Sequence, residues 1–497
     1  MAFIDGTIVH IALPAIQREL GADFGALQWV VNGYALLLGA LILIGGALGD
    51  RIGRKRVYII GVAVFAVASL ACAVAPNVAA LIGVRAVQGI GAALLVPQSL
   101  AIIAASFPVE VRGRAIGIWA GFAALTTAAG PTVGGALIDF LSWRAAFWVN
   151  LPLAVVTLWL TVQYVLESRD EQAKGGPDII GATLAVLGLG LLTFGLTALP
   201  ERGISGLLVP ALIVTGLGLL LGFVVSEGRV RAPMMPLALF RSLPFSAANM
   251  ITLLLYFALS GVIFLLPFNL ISMQGYSSLS AGMALLPFGI VMGLFSSTAG
   301  RLADTYGSRL PLVVGPAIVA LACAGLAVPA IDSNYWTTFF VPILLLSVGM
   351  TVAVAPLTTA VMNAVAENQS GVASGVNNAA SRLAGLIAVA VIGALAAAVF
   401  AGRLEVALFD LGVPAQTMAE MLASANQLVG LAARASLEAA TAAAVEASIG
   451  GAFLQAFRVA MLVAAAAAAL AALCALFFLK TPGGKQLDGA EVPAAVQ

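Results

Sequence analysis

Gly46-Ala47-Leu48-Gly49-Asp50-Arg51-Ile52-Gly53-Arg54-Lys55 returns later in the chain as Gly300-Arg301-Leu302-Ala303-Asp304-Thr305-Tyr306-Gly307-Ser308-Arg309. Gly46 and Gly300, Asp50 and Asp304, and Gly53 and Gly307 are each 254 positions apart, and the cation Lys55 matches Arg309. Both copies sit between long apolar segments. A charged turn repeated together with its flanks predicts a membrane protein built from two parallel halves. The repeat reaches further. Arg112-Gly113-Arg114-Ala115-Ile116-Gly117 is similar to Ser370-Gly371-Val372-Ala373-Ser374-Gly375, and Pro14 and Pro267 are 253 positions apart.

Composition agrees. Of 497 residues, 62% are hydrophobic and 9% charged, where a soluble domain carries roughly 25% charged residues. An ordinary soluble protein is excluded. The net charge of +1 identifies no partner. Cys72, Cys323 and Cys474 lie alone in apolar segments, so neither a disulfide framework nor a metal cluster is expected. Met1-Ala2-Phe3-Ile4-Asp5 lacks the basic start of a cleavable signal peptide.

Apolar runs long enough to cross a bilayer fall at 1–17, 28–48, 57–75, 79–105, 115–138, 145–166, 179–199, 205–226, 246–271, 280–299, 310–330, 337–365, 372–400 and 453–479, fourteen in all. The charge bias supports this count. With both termini cytoplasmic, the inside loops hold Arg51, Arg54, Lys55, Arg56, Arg112, Arg114, Arg169, Lys174, Arg229, Arg231, Arg241, Arg301 and Arg309. The outside segments are richer in acids such as Asp139, Glu201, Asp332, Asp410 and Glu420. Removing one span anywhere scrambles the alternation. The expected units are a six-helix half at 1–166, two inserted helices with their cytoplasmic loops at 167–245, a second half at 246–479 and a cytoplasmic tail at 480–497. The first span is about two turns shorter than its counterpart before Pro267, and a start upstream of Met1 is the favoured explanation. Residues 401–452 form a long outside connection. Within it Ala432 to Ala447 is expected to be an amphipathic surface helix, with docking of an outer adaptor protein as the alternative use.

With this topology, the local sequences resemble the major facilitator superfamily, and more closely its 14-helix drug:proton antiporter family. Gly49-Asp50-Arg51-Ile52-Gly53-Arg54-Lys55-Arg56 matches the loop between helices 2 and 3. Ile4-Asp5-Gly6-Thr7-Ile8-Val9-His10-Ile11-Ala12-Leu13-Pro14 matches the helix 1 signature, with His10 where Asn is usual. Arg85-Ala86-Val87-Gln88-Gly89-Ile90-Gly91 is similar to the helix 4 motif. Gly130-Pro131-Thr132-Val133-Gly134-Gly135 is similar to the helix 5 motif associated with antiporters. Trp143-Arg144, Phe147 and Asn150-Leu151-Pro152 match the start of helix 6. The resemblance covers essentially the whole chain. It implies a helical transporter of the bacterial cytoplasmic membrane, without a cofactor, that exchanges protons for small molecules and works as a monomer.

Physical reasoning sorts the residues within that frame. Asp5 is a carboxylate inside a membrane span, which costs on the order of 2.5–3.5 kcal/mol, so a role in carrying a proton is expected. Arg85 is a permanent cation in the fourth span, and the second half has no counterpart. His10, the single histidine, points ~140° away from Asp5 on one helix, and is expected to tune coupling or to bond as a neutral ring. Gly130 and Pro131 break the fifth helix's hydrogen-bond ladder, and Gly134 and Gly135 permit close helix contact. Gly49, Asp50, Arg51, Gly53, Arg54 and Lys55 are expected to form a cytoplasmic ion-pair latch between the halves, with Asp304 and Arg309 as a weaker second one. Tyr34, Gln88, Trp119, Tyr256, Phe288, Asn377 and Arg382 are weaker candidates for the substrate cavity.

Other classes fit less well. No G-x-x-x-x-G-K-[ST] loop for an ATP-driven pump occurs, and no catalytic cluster marks an enzyme. A uniporter has no need of Asp5, Arg85 and Gly130-Pro131 together, and nothing points to nucleic acid. Asp5 is the one clear intramembrane acid, which favours neutral, amphipathic or weakly charged substrates. A multidrug or antibiotic exporter is the leading reading. A dedicated exporter of one metabolite or lipid stands as the alternative, because fold does not fix substrate.

Overall fold

The computed structural model describes residues 1–169, 178–203, 206–230, 233–366, 369–425, 428 and 439–479. Among these residues there are helices and turns and no strand. The chain opens with α1 (Ala2–Leu20), α2 (Phe24–Ile52), α3 (Arg54–Ala73), α4 (Val78–Ser106), α5 (Val109–Phe140), and the broken pair α6 (Ala145–Trp148) and α7 (Asn150–Tyr164). A hairpin follows, α8 (Ile179–Arg202) and α9 (Leu208–Glu227). Then come α10 (Leu243–Phe268), the pair α11 (Ser278–Ala284) and α12 (Leu286–Tyr306), α13 (Arg309–Leu326), α14 (Phe340–Asn363), α15 (Ser370–Asp410), α16 (Ala415–Ala423) and α17 (Ala439–Phe478).

Thirteen of these stretches are long and apolar enough to cross a bilayer. α1 falls outside that set because Asp5, His10, Gln17, Arg18 and Glu19 interrupt it. It is nevertheless built into the bundle, with Ile8, Val9, Ile11, Ala12, Leu13 and Ile16 buried. Its 19 residues rise about 28 Å, close to a hydrocarbon core of about 30 Å. α10 has 26 residues, and the helical span it opens runs on to Met273.

The helices turn where the sequence supplies caps. Asp23 accepts from the Ala26 amide at 2.6 Å and starts α2, and Asn77 accepts from the Ala80 amide at 2.8 Å and starts α4. Gly53 joins α2 to α3 at φ 119°, a conformation that side chains rarely adopt.

At the face that the charge bias assigns to the outside, the halves meet through aromatic rings. Phe24 of α2 lies 5.4 Å from Phe264 and 5.6 Å from Phe268 of α10, and pairs of this kind contribute about 0.5–1.5 kcal/mol each. The inserted hairpin lies over one side seam. Trp29 of α2 donates to Thr197 of α8 at 3.1 Å, and α8 packs on both α2 and α15. α9 faces outward, and its buried residues are Val209, Gly216 and Glu227.

The outside connection differs from expectation. α15 runs on to Asp410, and α17 begins at Ala439 and continues without a break into the last span. The small amphipathic helix is α16, at 415–423. Residues from 439 onward belong to the final helix because its apolar face keeps packing: Val445, Ile449 and Ala452 are buried. The rest of the expected surface helix, 432–438, lies outside the described residues, as do Lys174, Arg231 and the tail after Leu479.

Candidate functional site

Four helices of the first half converge on Asp5. Arg85 Nη1 donates to Asp5 Oδ2 at 2.6 Å. Gln88 Nε2 and Asn150 Nδ2 donate to Asp5 Oδ1 at 3.0 and 3.2 Å. The same two amides also reach Ser69 Oγ, at 2.7 and 3.2 Å. Asp5, Ser69, Gln88 and Asn150 are 0% exposed and Arg85 is 1% exposed. The expectation that Asp5 lies inside the protein therefore holds. Burial disfavours a lone carboxylate, and here a buried cation and two amide donors compensate it. The donor set is complementary to ionised Asp5.

Arg85 is held independently of Asp5. Its Nε donates to the Val30 carbonyl at 3.1 Å and its Nη1 to Gln88 Oε1 at 2.6 Å. Its guanidinium lies 4.3 Å from the Tyr34 ring centre and 5.8 Å from that of Phe147, placed for cation–π attraction. When Asp5 takes a proton, Arg85 still has two acceptors and two ring faces.

The glycines of the fifth-helix motif join this cluster to the opposite half. A Cβ on Gly130 would overlap Thr7 of α1, and one on Gly134 would press on Ile8 at 3.1 Å. On the other face of α5, a Cβ on Gly135 would meet Leu279 Cα at 2.6 Å. Gly282 of α11 approaches Pro131 as closely, with its missing Cβ 2.7 Å from the Pro131 carbonyl carbon. Thr132 Oγ1 donates to the Gly282 carbonyl at 3.3 Å. At the outer end Asp139 accepts from the Ser278 and Leu279 amides at 3.1 and 2.8 Å, so the last turn of α5 caps the first turn of α11. α1, α5 and α11 form one packed series across the seam.

The charged turn at 49–56 bonds differently. Arg54 donates to Asp50 at 2.7 Å, four residues away. Glu167, past the end of α7, accepts from the Lys55 and Arg56 amides at 3.0 and 3.2 Å. It also fills the space where a Cβ on Gly53 would go. Lys55 Nζ donates to the Val162 carbonyl at 3.0 Å. These bonds tie the turn to itself, to the end of α7 and to the residues just after it. The cause is geometric: α7 ends beside the start of α3 and supplies the acid nearest that helix's free amides. In the second copy, Arg309 Nη2 donates to the Leu476 carbonyl at 2.8 Å. The side chain of Asp304 lies outside the described residues.

The remaining candidates divide. Tyr34 and Gln88, read as cavity residues, belong to the Asp5 cluster. His10 does not join it and faces the second half, with its ring 6.4 Å from Phe264. Trp119 packs edge-on to Phe3 at 6.0 Å. Asn377 accepts from Thr252 Oγ1 at 2.6 Å and ties α15 to α10. Tyr256 and Phe288 pack against the main core. Arg382 of α15 sits with its Cβ 3.2 Å from the missing Cβ of Gly39 on α2. Sequence reasoning missed Ser69, Asp139 and Glu167. Ser69 is one hydroxyl in an apolar span and carries no signal. Asp139 and Glu167 sit at helix ends, where acids are ordinary. Among the described residues no three His, Cys, Asp or Glu side chains could hold a metal.

Comparison with known proteins agrees with this geometry. The family model described as Major Facilitator Superfamily matches residues 1–389. The chain is 34% identical to the "Multidrug resistance protein Stp" of Mycobacterium tuberculosis over 82% of its own length and 75% of that protein's. It is 32% identical to the "Tetracenomycin C resistance and export protein" of Streptomyces glaucescens, covering 80% and 74%. In fold it is similar to a crystal structure of a bacterial homologue of the human lysosomal transporter Spinster, with a TM-score of 0.61 at 17% identity, covering 97% of this chain and 96% of that one. The polytopic helical bundle, the repeated charged turn and these matches agree: the chain is a multi-pass membrane protein of the Major Facilitator Superfamily.

Proposed function

We propose that this protein is a proton-driven antiporter that exports hydrophobic or amphipathic small molecules, such as antibiotics, dyes or biocides, by alternating access. The observation that carries the reading is the buried Asp5–Arg85 pair, in which Arg85 keeps other acceptors when Asp5 is neutral. Relatives named for multidrug resistance and antibiotic export supply the substrate class.

A proton reaching Asp5 from the outer side neutralises it and breaks the bond to Arg85. α1 is then released from α4 and α7, and its contact with α5 carries the change to α11 in the second half. The halves, 1–166 and 246–479, rock about the α5–α11 and α2–α15 seams. The inserted helices brace the second seam. Loss of the proton to the cytoplasm remakes the pair. Moving each charge through 100 mV of membrane potential supplies ~2.3 kcal/mol. Among the described residues Asp5 is the only buried acid between 1 and 166, and none is buried between 246 and 479, so neutral or weakly charged compounds suit the protein better than dications. The protein works as a monomer in the bacterial cytoplasmic membrane with both termini inside.

The test is proton flux into liposomes holding the purified protein, with an imposed pH gradient and a panel of antibiotics, dyes and biocides. Compound-dependent flux that disappears in Asp5→Asn supports the reading. Full coupled efflux by Asp5→Asn overturns it. Silence towards every compound, with a single metabolite or lipid active, replaces it with a dedicated exporter.

A further inference from the structure

We propose that Asp178 and Glu227 share a single proton and form a second proton-binding site, at the cytoplasmic end of the inserted α8–α9 hairpin. Asp178 is the cap of α8, where its Oδ1 accepts from the Gly181 amide at 2.8 Å. Glu227 lies one residue past the apolar run at 205–226, and its Oε2 accepts from the Met235 amide at 2.7 Å. The two side chains use one oxygen each in this way. The other two, Asp178 Oδ2 and Glu227 Oε1, are buried and have no hydrogen-bond donor. They converge on one point: a Cβ on Gly181 would lie 2.5 Å from the first and 2.8 Å from the second. The residues are 9% and 3% exposed.

Two ionised carboxylates cannot share such a place without strong repulsion, and neither makes an ion pair among the described residues. Among the described residues, the groups facing the pair are each other and the amides of Gly181, Met234 and Met235, none of them cationic. One proton between Oδ2 and Oε1 satisfies both orphaned acceptors at once, and it titrates as a property of the pair. This explains why α9, whose other face is apolar, buries a glutamate.

The consequence is mechanical. Met235 lies on the connection that leads through Leu237–Arg241 into α10, the first helix of the second half. The protonated pair closes the hairpin and holds that connection. Loss of the proton sets the N-terminal end of α8 against the C-terminal end of α9. The site therefore reports cytoplasmic pH to the joint between the halves. It is separate from Asp5, 173 positions upstream of Asp178 (178 − 5 = 173), and does not depend on what is transported.

The sign follows from linkage. The fold favours the protonated pair, so its stabilisation is complete at acid pH and is lost as pH rises. In Glu227→Gln the amide donates to Asp178 and replaces the proton with a fixed hydrogen. The experiment uses the full chain in lipid nanodiscs on an Asp5→Asn background, which removes the other buried acid among the described residues. It follows the thermal unfolding midpoint and the infrared carbonyl band of protonated carboxyl from mildly acidic to mildly alkaline pH. The parent is expected to lose stability and the band together as pH rises. Glu227→Gln is expected to lack the band and to hold a flatter profile. If Glu227→Gln does not fold, Asp178→Asn makes the same replacement from the other side. An unchanged pH slope in the folded variant, or no acid band in the parent at any pH, overturns the proposal. So does stabilisation of the parent by added sodium or magnesium in place of acid.

Discussion

The two faces of the bundle are joined in opposite ways. At the outer face the halves bond to each other: Asp139 caps α11 across the seam, Gly135 and Gly282 bring the backbones of α5 and α11 together, and Phe24 packs against Phe264 and Phe268. At the face that the charge bias assigns to the inside, the charged turn bonds close by in the chain fold, through Asp50–Arg54 and Glu167 just past α7. The number of charges does not decide where a bundle is shut. The outer seam closes with one carboxylate and a few glycines, because close backbone approach excludes competing groups. The inner turn has four cations at 51–56, and Arg54, Lys55 and Arg56 bond to groups close by. A seam of the first kind can separate by losing a few bonds at once, and a turn of the second kind stays intact while the halves move.

The strongest test of this contrast is at the cluster that moves α1. Arg85→Ala leaves Asp5 buried beside an empty site, and removing one partner of a buried pair costs about 3–5 kcal/mol. A large fall in the unfolding temperature with complete loss of efflux is expected. Asp5→Asn removes the charge and keeps the shape, so it is expected to fold, to reach the membrane and to lose proton-coupled efflux. Efflux and proton flux assays on the same vesicles check both.

Next is the outer seam. Gly282→Leu places a side chain against the Pro131 carbonyl and Thr132 Cα, so the halves cannot close there. Transport is expected to fall by at least about tenfold, equal to ~1.4 kcal/mol, with the protein still folded. Distances between spin labels at Ser142 and Gln274 are expected to lengthen. Unchanged distances would show that α5 and α11 are not the closing contact.

Asp139→Asn is milder. Hydrogen bonds to a charged group contribute about 1.5–3 kcal/mol, and the amide retains part of that. The same spin labels are expected to show a larger open population while efflux continues. If the population does not move, the aromatic contacts close the seam without Asp139.

The smallest effect is expected at the cytoplasmic turn. Glu167→Ala removes the acceptor for the first amides of α3, a loss near 0.5–2 kcal/mol for a helix cap. The unfolding temperature is expected to drop slightly and the outer label distances to stay fixed. A change at the outer face from this substitution would break the contrast, because it would mean that the turn acts across the halves.

The sequence determined the class of this protein. Long apolar runs can satisfy their backbone in a bilayer only as helices, so composition and spacing alone gave thirteen of the spans. The repeat of the turn at 46–55 pointed to an internally repeated helical bundle before any contact was known. Asp5 and Arg85 stood out singly, because a charge in an apolar run has a known cost. Their partnership did not, since 80 positions separate them (85 − 5 = 80) and no local period links residues at that range. The tertiary structure alone decided that Ser69, Gln88 and Asn150 complete their cluster, that Asp139 caps α11, and that Asp178 meets Glu227. Each of these depends on which helix faces reach one another, and packing between helices fixes that where hydropathy cannot.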